Sequence, residues 1–399
     1  MSEKDPVLYR TKTKVLKSVR EKEEKEFLPN LPEKKKKRKV GRYIGRFFIT
    51  FGLLLAFLVV AVVLTCNVLL NGPSETMRDM LVLSARQASA TKWIPGLFIG
   101  NEMTEEIERN SKKVVRDVVK MEDDTPGTDD PAAVEDEWAN AIDGILLHRI
   151  TKPGFKAYVM IIRDPGRVFV GISSNFQNNQ VGMRIFQMVK KYNAVAGING
   201  GEFLDPGGVG TGNNPMGITY SEGALVWSDG LTNRTFMGFD TNNKLIVTEG
   251  MNRAKAEALS IRDGVCFQTG NSLITNDGEN MTLHYADGDT GVAQRTCIGQ
   301  RQDGAVIFLV TDGRAADSLG ATHNDCINLL REYGAVTAGQ LDGGSSAMMY
   351  YRDYFDLYHL DKSLLDQYQL QGLVNKYKAF TSPRMIPTYF LVRESGSND

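Results

Sequence analysis

The fold of this chain is decided by two glycine turns, Asn199-Gly200-Gly201-Glu202-Phe203 and Leu341-Asp342-Gly343-Gly344-Ser345-Ser346. Each turn follows a short apolar run, at 194–198 and at 336–341, of the kind that forms a buried strand. Glycine lets a backbone approach a ligand closely, and a rigid strand end holds a polar side chain in place. The two turns are therefore predicted to bring an amide, two carboxylates and two hydroxyls to strand ends.

An amphipathic helix is predicted before each turn, over 183–192 and over 325–333. Asn193 and Gly334 end these helices, because both residue types tolerate the left-handed conformation. The repeated order of helix, turn, strand and glycine loop is either an internal repeat or a chance likeness of short strands. Many strands with a few helices indicate an α+β fold with a mixed, largely antiparallel sheet core and flanking helices. A parallel, doubly wound sheet is the alternative.

The N-terminal part of the chain has the composition of a tail followed by a membrane span. Residues 1–46 contain 16 Lys or Arg and 7 Asp or Glu, a net charge of +9, and are predicted to be a disordered cytoplasmic tail. Residues 47–70 carry no charge, and as a helix they would rise about 36 Å, which exceeds the roughly 30 Å hydrocarbon layer. We therefore predict a transmembrane helix there. A cleaved signal peptide is the competitor, but its apolar run is usually about 7–15 residues.

Charge on the two sides of this span predicts its orientation. The basic run 34–39, with Arg42 and Arg46, precedes the span. This asymmetry predicts a single-pass protein of the cell membrane with a cytoplasmic N-terminus and an extracytoplasmic C-terminal domain. The same run is typical of nuclear localisation signals, but its place beside a span favours topology or attraction to anionic lipid. Residues 71–137 are predicted to be a stalk and linker, and 138–399 the folded domain.

Composition excludes some classes of function. The whole chain has a net charge of −1, so the part after the tail carries about −10, which argues against nucleic acid as a partner. Cys66 lies in the span, and Cys266, Cys297 and Cys326 cannot all pair with one another. Cysteine spacing gives no indication of a zinc site, and low cysteine usage is typical of a bacterial exterior.

Further motifs lie between and beside the two turns, each with a polar group next to glycine at a strand boundary. In chain order they are Pro215-Met216-Gly217, Arg295-Thr296-Cys297-Ile298-Gly299, Thr311-Asp312-Gly313-Arg314 and Gly320-Ala321-Thr322. With the two turns, this ordered set resembles the phosphodiester glycosidase family over roughly 143–393. Two positions depart from the family pattern: Glu202 stands where an aromatic residue is frequent, and Ser345 stands where a third glycine is frequent.

The resemblance implies an enzyme that hydrolyses sugar-1-phosphodiesters. For a membrane-anchored chain of bacterial character, it implies a linkage in a cell-surface polysaccharide or exopolysaccharide, so that a sugar-phosphate polymer is the expected partner. The alternative is a catalytically idle domain that binds surface glycan or a wall or capsule assembly partner. Asp342→Asn separates the two functions, because it would abolish turnover if the chain is the enzyme and leave glycan binding largely intact if it is the binding domain.

Such chemistry requires a carboxylate near the sugar and cationic or N–H donors near the phosphate. Asp342 is predicted to be the general base or nucleophile. Glu202 is either a second carboxylate for catalysis or sugar binding, or a solvated loop residue. Asp312 is a second carboxylate, a metal ligand or the cap of its turn. His323 either transfers protons or lies at the surface beside a helix cap.

The predicted substrate-binding residues surround these carboxylates. Arg295 and Arg314 match phosphate through the guanidinium fork, with a structural ion pair as the alternative. The other predicted binding residues are Asn199, Gly200, Gly201, Thr296, Gly343, Gly344, Ser345 and Ser346. A divalent cation held by Asp312 or Asp342 is left open, and no cofactor and no oligomeric state follow from the sequence.

Two other motifs have competing interpretations. Ser345, His323 and Asp342 contain the residue types of a Ser-His-Asp hydrolase, but no Gly-x-Ser-x-Gly elbow follows a strand. The tyrosine-rich stretch 350–358 is either a sugar-stacking platform or core packing, and core packing is the commoner use of such aromatics.

Overall fold

The structure is a computed structural model that describes residues 37–86, 91–111, 113–121, 137–176, 181–206, 212, 214–287, 290–313, 315, 317–377 and 382–396. It divides into two compact units, residues 1–65 and residues 66–399. The predicted cytoplasmic tail up to residue 36 and the linker 122–136 lie outside the described residues.

Helices of the described residues flank the strands rather than alternate with them. In chain order they are α1 (Lys37–Asn71), α2 (Glu75–Arg86), α3 (Ile94–Ile99), α4 (Asn101–Ser111), α5 (Ile185–Lys191), α6 (Arg253–Ala258), α7 (His323–Glu332) and α8 (Tyr354–Leu357). Short 3-10 turns occupy Glu137–Asn140, Pro165–Arg167, Gly344–Ser346, Lys362–Leu364 and Gln369–Gln371. Asn193 and Gly334 have φ of 45° and 82°, so the predicted left-handed residues do follow α5 and α7.

Helix α1 contains an apolar stretch, Tyr43–Asn71, with a mean hydropathy of 3.0 over its most apolar window. By length and composition this stretch is able to cross a membrane. A membrane anchor and a signal sequence share these two properties.

Seventeen strands are present in the described residues. In chain order they are β1 (Val114–Lys120), β2 (Ile145–Lys152), β3 (Phe155–Ile162), β4 (Val168–Ile172), β5 (Ala194–Asn199), β6 (Ile218–Ser221), β7 (Ala224–Ser228), β8 (Arg234–Asp240), β9 (Leu245–Glu249), β10 (Ile261–Gln268), β11 (Ser272–Asn276), β12 (Asn280–Ala286), β13 (Thr296–Arg301), β14 (Val306–Thr311), β15 (Ala335–Gln340), β16 (Met349–Tyr351) and β17 (Thr388–Arg393).

The strands form three sheets. The eight-stranded sheet has the order β1-β12-β11-β15-β13-β14-β3-β2, the five-stranded sheet β7-β6-β10-β8-β9, and the four-stranded sheet β16-β5-β17-β4. Each strand pair described is antiparallel. The predicted α+β class with a largely antiparallel core is therefore confirmed, and the doubly wound alternative is excluded.

The eight-stranded sheet separates two cores, because successive side chains of a strand point to opposite faces. Ile298 of β13 packs on one face with Ile198 of β5 and Phe390 of β17. Its neighbour Cys297 packs on the other face with Ile327 of α7. We call these the inner face and the helix face. The inner face lies against the two smaller sheets, whose strands share its core.

The segment predicted as a stalk contains ordered elements. Helices α2 and α4 pack through Leu83 and Ile107, and the hydroxyl of Ser84 accepts a hydrogen bond from the amide of Val292 at 3.0 Å. Strand β1 pairs with β12 along its whole length. Its valine-rich sequence favours a strand. The first strand of the main sheet thus precedes residue 138.

Candidate active site

Three adjacent strands of the main sheet, β15, β13 and β14, bring polar residues together at one end of the strands. The amide of Leu341 donates to the carbonyl of Thr296 at 2.8 Å, and the amide of Thr311 donates to the carbonyl of Arg295 at 2.9 Å. The end of β15 and the end of β14 therefore flank the start of β13. Asp342 and Asp312 follow these two ends, about 10 Å apart, since neighbouring strands are roughly 4.8 Å apart.

Asn199, at the end of β5, joins the two glycine turns. Its Nδ2 donates to the carbonyl oxygen of Asp342 at 2.6 Å. Its Oδ1 accepts from the hydroxyl of Thr296 at 2.7 Å and from the amide of Met348 at 3.1 Å. Asn199 and Thr296 are completely buried. The structure thus brings these two predicted binding residues together, but their polar groups contact protein.

Three of the turn glycines, Gly200, Gly201 and Gly343, lie close to atoms of neighbouring strands and loops. A Cβ on Gly201 would stand 2.2 Å from the carbonyl oxygen of Cys266, and one on Gly343 would stand 2.7 Å from that of Gln294. A Cβ on Gly200 would stand 2.4 Å from the hydroxyl of Thr388. Gly344 has φ of 59°, in the left-handed region. These glycines permit the two turns to pack closely on neighbouring strands.

Asp342 is half-buried and faces a hydroxyl and a guanidinium. Burial raises the pKa of its carboxyl to about 6, while a hydrogen bond from the Ser346 side chain and the charge of Arg384 oppose that rise. Arg384 Nη1 donates to the Ser346 hydroxyl at 3.4 Å, and its Nη2 lies 3.2 Å from Asp205 Oδ2. Ser346 and Asp342, both predicted from the sequence, therefore meet a cation that the sequence did not indicate.

Glu202 is an ion-paired carboxylate, not a solvated loop residue. Its side chain is 19% exposed, and Oε2 lies 3.0 Å from Arg234 Nε, although the N–H is not aimed at that oxygen. Oε1 accepts from Gln268 Nε2 at 3.3 Å. Burial raises the pKa of Glu202, and the charge of Arg234 opposes that rise. The charge of Glu202 in turn raises the pKa of Asp342, so the two carboxylates interact electrostatically.

Asp312 has its carboxylate oxygens occupied by donors from the protein. Oδ2 accepts from the Tyr158 hydroxyl at 2.8 Å, and Oδ1 accepts from the amide of Lys376 at 3.0 Å. Burial raises its pKa to about 6. Among the described residues, no group of three or more His, Cys, Asp or Glu side chains is placed to hold a metal ion.

Arg295 and His323 lie on the helix face, away from Asp342. Arg295 precedes Thr296, so its side chain points to the opposite face, where Nε donates to the carbonyl of Ala321 at 3.1 Å and Nη2 to that of Gly291 at 3.0 Å. His323 contacts the carbonyl of His284 through Nε2 at 3.2 Å. Burial and the charge of Arg295 lower the pKa of His323 to about 4, so the His323 ring is neutral at pH 7.

Two further residues were predicted to bind substrate, Arg314 and Ser345. Arg314 lies outside the described residues. Ser345 contributes its carbonyl, which accepts a hydrogen bond from the Tyr377 hydroxyl. Sequence reasoning missed Arg384, Asp205 and Tyr377, although Asp205 stands directly before Pro206-Gly207-Gly208 and three residues after Glu202. For Arg384, the available signal was its position shortly before the last strand, β17.

A half-buried carboxylate beside a hydroxyl and a guanidinium, at the edge of a largely antiparallel sheet, is typical of a site for an anionic substrate. A model of the phosphodiester glycosidase family matches residues 192–393, just over half of the chain and both glycine turns. The chain belongs to the phosphodiester glycosidase family, whose members are hydrolases acting on phosphodiester-linked sugars. The resemblance seen in the sequence is thereby confirmed.

Similar proteins include an SPbeta prophage-derived protein of Bacillus subtilis, YomE, which is 26% identical over 132 residues. That match covers 33% of this chain and 18% of the relative's length. Among solved structures, the catalytic domain of zebrafish N-acetylglucosamine-1-phosphodiester alpha-N-acetylglucosaminidase, auto-inhibited by its pro-peptide, has a TM-score of 0.47 at 15% identity, covering 70% of this chain and 89% of that domain. An exported protein of Burkholderia pseudomallei has a TM-score of 0.39 at 13% identity, with 60% and 74% covered.

Proposed function

We propose that this chain is a membrane-anchored, extracytoplasmic phosphodiester glycosidase that hydrolyses a sugar-1-phosphodiester linkage in a cell-surface polysaccharide or exopolysaccharide. The observation that carries the proposal is the group formed by Asp342, Ser346 and Arg384 within the family-matched region. A carboxylate and a guanidinium at one strand end supply the two functions that the reaction needs, one near the sugar and one near the phosphate.

Asp342 acts in this proposal as the general base. The oxygen of a water molecule bonds to the anomeric carbon while the bond from that carbon to the phosphate oxygen breaks. The water proton passes to Asp342, and the phosphate leaves with the bonding electrons. A pKa of about 6 keeps the Asp342 carboxylate largely ionised near pH 7 while leaving it basic enough to accept the proton.

Arg384 holds the phosphate in this proposal. Its guanidinium lies at hydrogen-bond distance from Ser346, whose side chain also contacts Asp342, so phosphate and base would be adjacent. A planar guanidinium matches two phosphate oxygens at once. This role replaces the one predicted for Arg295, whose donors are directed to main-chain carbonyls on the helix face.

Glu202 supplies the second carboxylate, at the sugar side of the site. Its pair with Arg234 fixes the carboxylate near Asp342, where it would accept hydrogen bonds from sugar hydroxyls. The turn glycines and Asn199 hold the two strand ends at the required separation.

The apolar helix α1 supports the membrane anchor of the proposal. Tyr43–Asn71 is long enough to span the hydrocarbon layer, and the basic residues of the sequence before it favour a cytoplasmic N-terminus. The glycan substrate would then lie on the same side of the membrane as the site.

The test is a turnover assay of the full chain in detergent on a series of sugar-1-phosphodiesters of both anomeric configurations, with and without a chelator. Released free sugar is measured for the parent, for Asp342→Asn and for Asp312→Asn. Activity in the parent that is lost in Asp342→Asn supports the proposal. If the parent releases no sugar from any substrate but binds the glycan, the result would favour the catalytically idle glycan-binding function instead.

A further inference from the structure

Three tyrosines of the stretch 350–358 are buried and do not provide the sugar-stacking surface that the sequence offered as one interpretation. Tyr350, Tyr351 and Tyr354 have exposures of 8%, 3% and 0% and belong to the hydrophobic cores. Their rings therefore stabilise the fold. A stacking surface, if the substrate is a glycan polymer, has to be formed by other aromatic residues.

Three half-buried rings form a continuous strip that starts at the second glycine turn. Tyr377 donates through its hydroxyl to the carbonyl of Ser345. The ring of Tyr368 lies 6.2 Å from that of Tyr377, edge to face, and Phe186 is stacked on Tyr368 at 6.3 Å with an interplanar angle of 13°. We call Phe186, Tyr368 and Tyr377 the aromatic strip.

The strip is assembled from separate segments and held in place. Phe186 lies on α5, while Tyr368 directly precedes the 3-10 turn Gln369–Gln371. Asp366 Oδ1 accepts from the amides of Tyr368 and Gln369 at 2.8 and 2.9 Å, which fixes this turn. The three rings rest on the core below, which contains Leu373, and each keeps part of its surface exposed. The exposed parts of these three adjacent residues are accessible to a ligand.

We propose that the aromatic strip binds a sugar ring of the glycan next to the scissile linkage, by stacking against its C–H face. The occupant follows from position, since Ser345 adjoins Ser346, which contacts Asp342. A polymer whose phosphodiester lies at Asp342 and Arg384 would extend across Tyr377 towards Tyr368. Flat, apolar rings suit an uncharged sugar face better than a second phosphate. The inference rests on the proposed function and adds a binding subsite for the sugar next to the scissile linkage.

The experiment compares two substrates of the same sugar on the full chain in detergent, a methyl diester of the sugar phosphate and a phosphodiester-linked oligosaccharide. Tyr368→Ala is expected to lower the ratio of kcat/KM for the oligosaccharide to that for the methyl diester about tenfold, mainly through KM, because about one stacking contact is lost. Tyr368→Phe keeps the ring and is expected to keep the ratio. Tyr368→Leu keeps apolar packing without a flat ring and is expected to lower the ratio as Ala does.

An unchanged ratio in both Tyr368→Ala and Tyr368→Leu would overturn the inference, as would an equal loss on both substrates, which indicates a structural role. If the parent hydrolyses neither substrate, the proposed function fails, and the strip is then tested by the Kd of the oligosaccharide in isothermal titration calorimetry. A weaker Kd in Tyr368→Leu, with Tyr368→Phe like the parent, supports the strip in that case. Equal Kd values in all variants overturn it.

Discussion

The two glycine turns look alike in sequence and differ in what their polar residue does. Asn199 is completely buried, and its amide group contacts Asp342, Thr296 and Met348. Asp342 is half-buried, and its carboxyl faces Ser346 and the charge of Arg384. The Asn199 turn therefore stabilises the Asp342 turn, and the Asp342 turn presents a carboxylate whose pKa is raised. The role of a polar residue at a strand end therefore depends on the groups that it contacts and not on the motif in which it lies.

Replacement of Asp342 should have the largest effect and divide the two turns by function. Asp342→Asn is expected to lower kcat by about 10²- to 10⁴-fold, because a general base is lost. Asp312→Asn is expected to lower kcat far less, since its oxygens are held by Tyr158 and Lys376. Sugar release at saturating substrate measures both. Equal losses in the two variants would contradict the assignment of the base.

Removal of the Asn199 side chain should lower the free energy of unfolding more than any surface substitution does. Asn199→Ala leaves the Thr296 hydroxyl, the Met348 amide and the Asp342 carbonyl without their partner, and is expected to cost about 2–5 kcal/mol of unfolding free energy. Asn242→Ala, at an exposed position, is the control and should stay within about 0.5 kcal/mol. Urea unfolding of both variants checks this. A small cost at Asn199 would mean that the turns are held together in another way.

A methyl group in either turn should also destabilise the fold, more strongly in the first. A Cβ at Gly201 would stand 2.2 Å from a carbonyl oxygen, against 2.7 Å at Gly343. Gly201→Ala is expected to cost about 1–3 kcal/mol, and Gly343→Ala less, because overpacking forces backbone shifts. The Tm values of the two variants, measured by thermal unfolding, give the order of the two effects. The reverse order would show that the second turn is the more rigid one.

The pH dependence should also distinguish the two turns, because, of their two strand-end polar residues, only Asp342 of the second turn has a raised pKa. As Asp342 acts in the ionised form, kcat is expected to fall as the pH drops below about 6. Its folded-state pKa lies above the usual 3.8, so its contribution to stability is greatest below pH 3.8 and is lost as the pH rises to about 6. Asp342→Asn should therefore gain stability relative to the parent between these pH values and no further above them. A constant difference from pH 3 to pH 8 would contradict the raised pKa.

Much of the fold followed from local pattern. The helices before the two turns, their left-handed end residues and the antiparallel character were all predictable, because each depends on neighbouring residues. Arg295 was predicted to bind phosphate, but its side chain lies on the helix face, as the alternation of β13 indicates, since the next residue, Thr296, faces Asn199. Arg384 reaches the site from before β17, and only tertiary structure brings it to Ser346.

The first strand of the main sheet has a consequence for how this protein is handled. β1 pairs with β12 from Val114 to Lys120, and β12 would have a free edge without it. A fragment that starts at Trp138 would expose that row of unpaired amides and carbonyls and would be prone to edge-to-edge aggregation. A fragment that starts at Glu75 keeps β1. For the same reason, a protease that cuts between β1 and residue 137 would nick the chain without releasing the domain, because seven paired residues of β1 would still hold it to the N-terminal part of the chain.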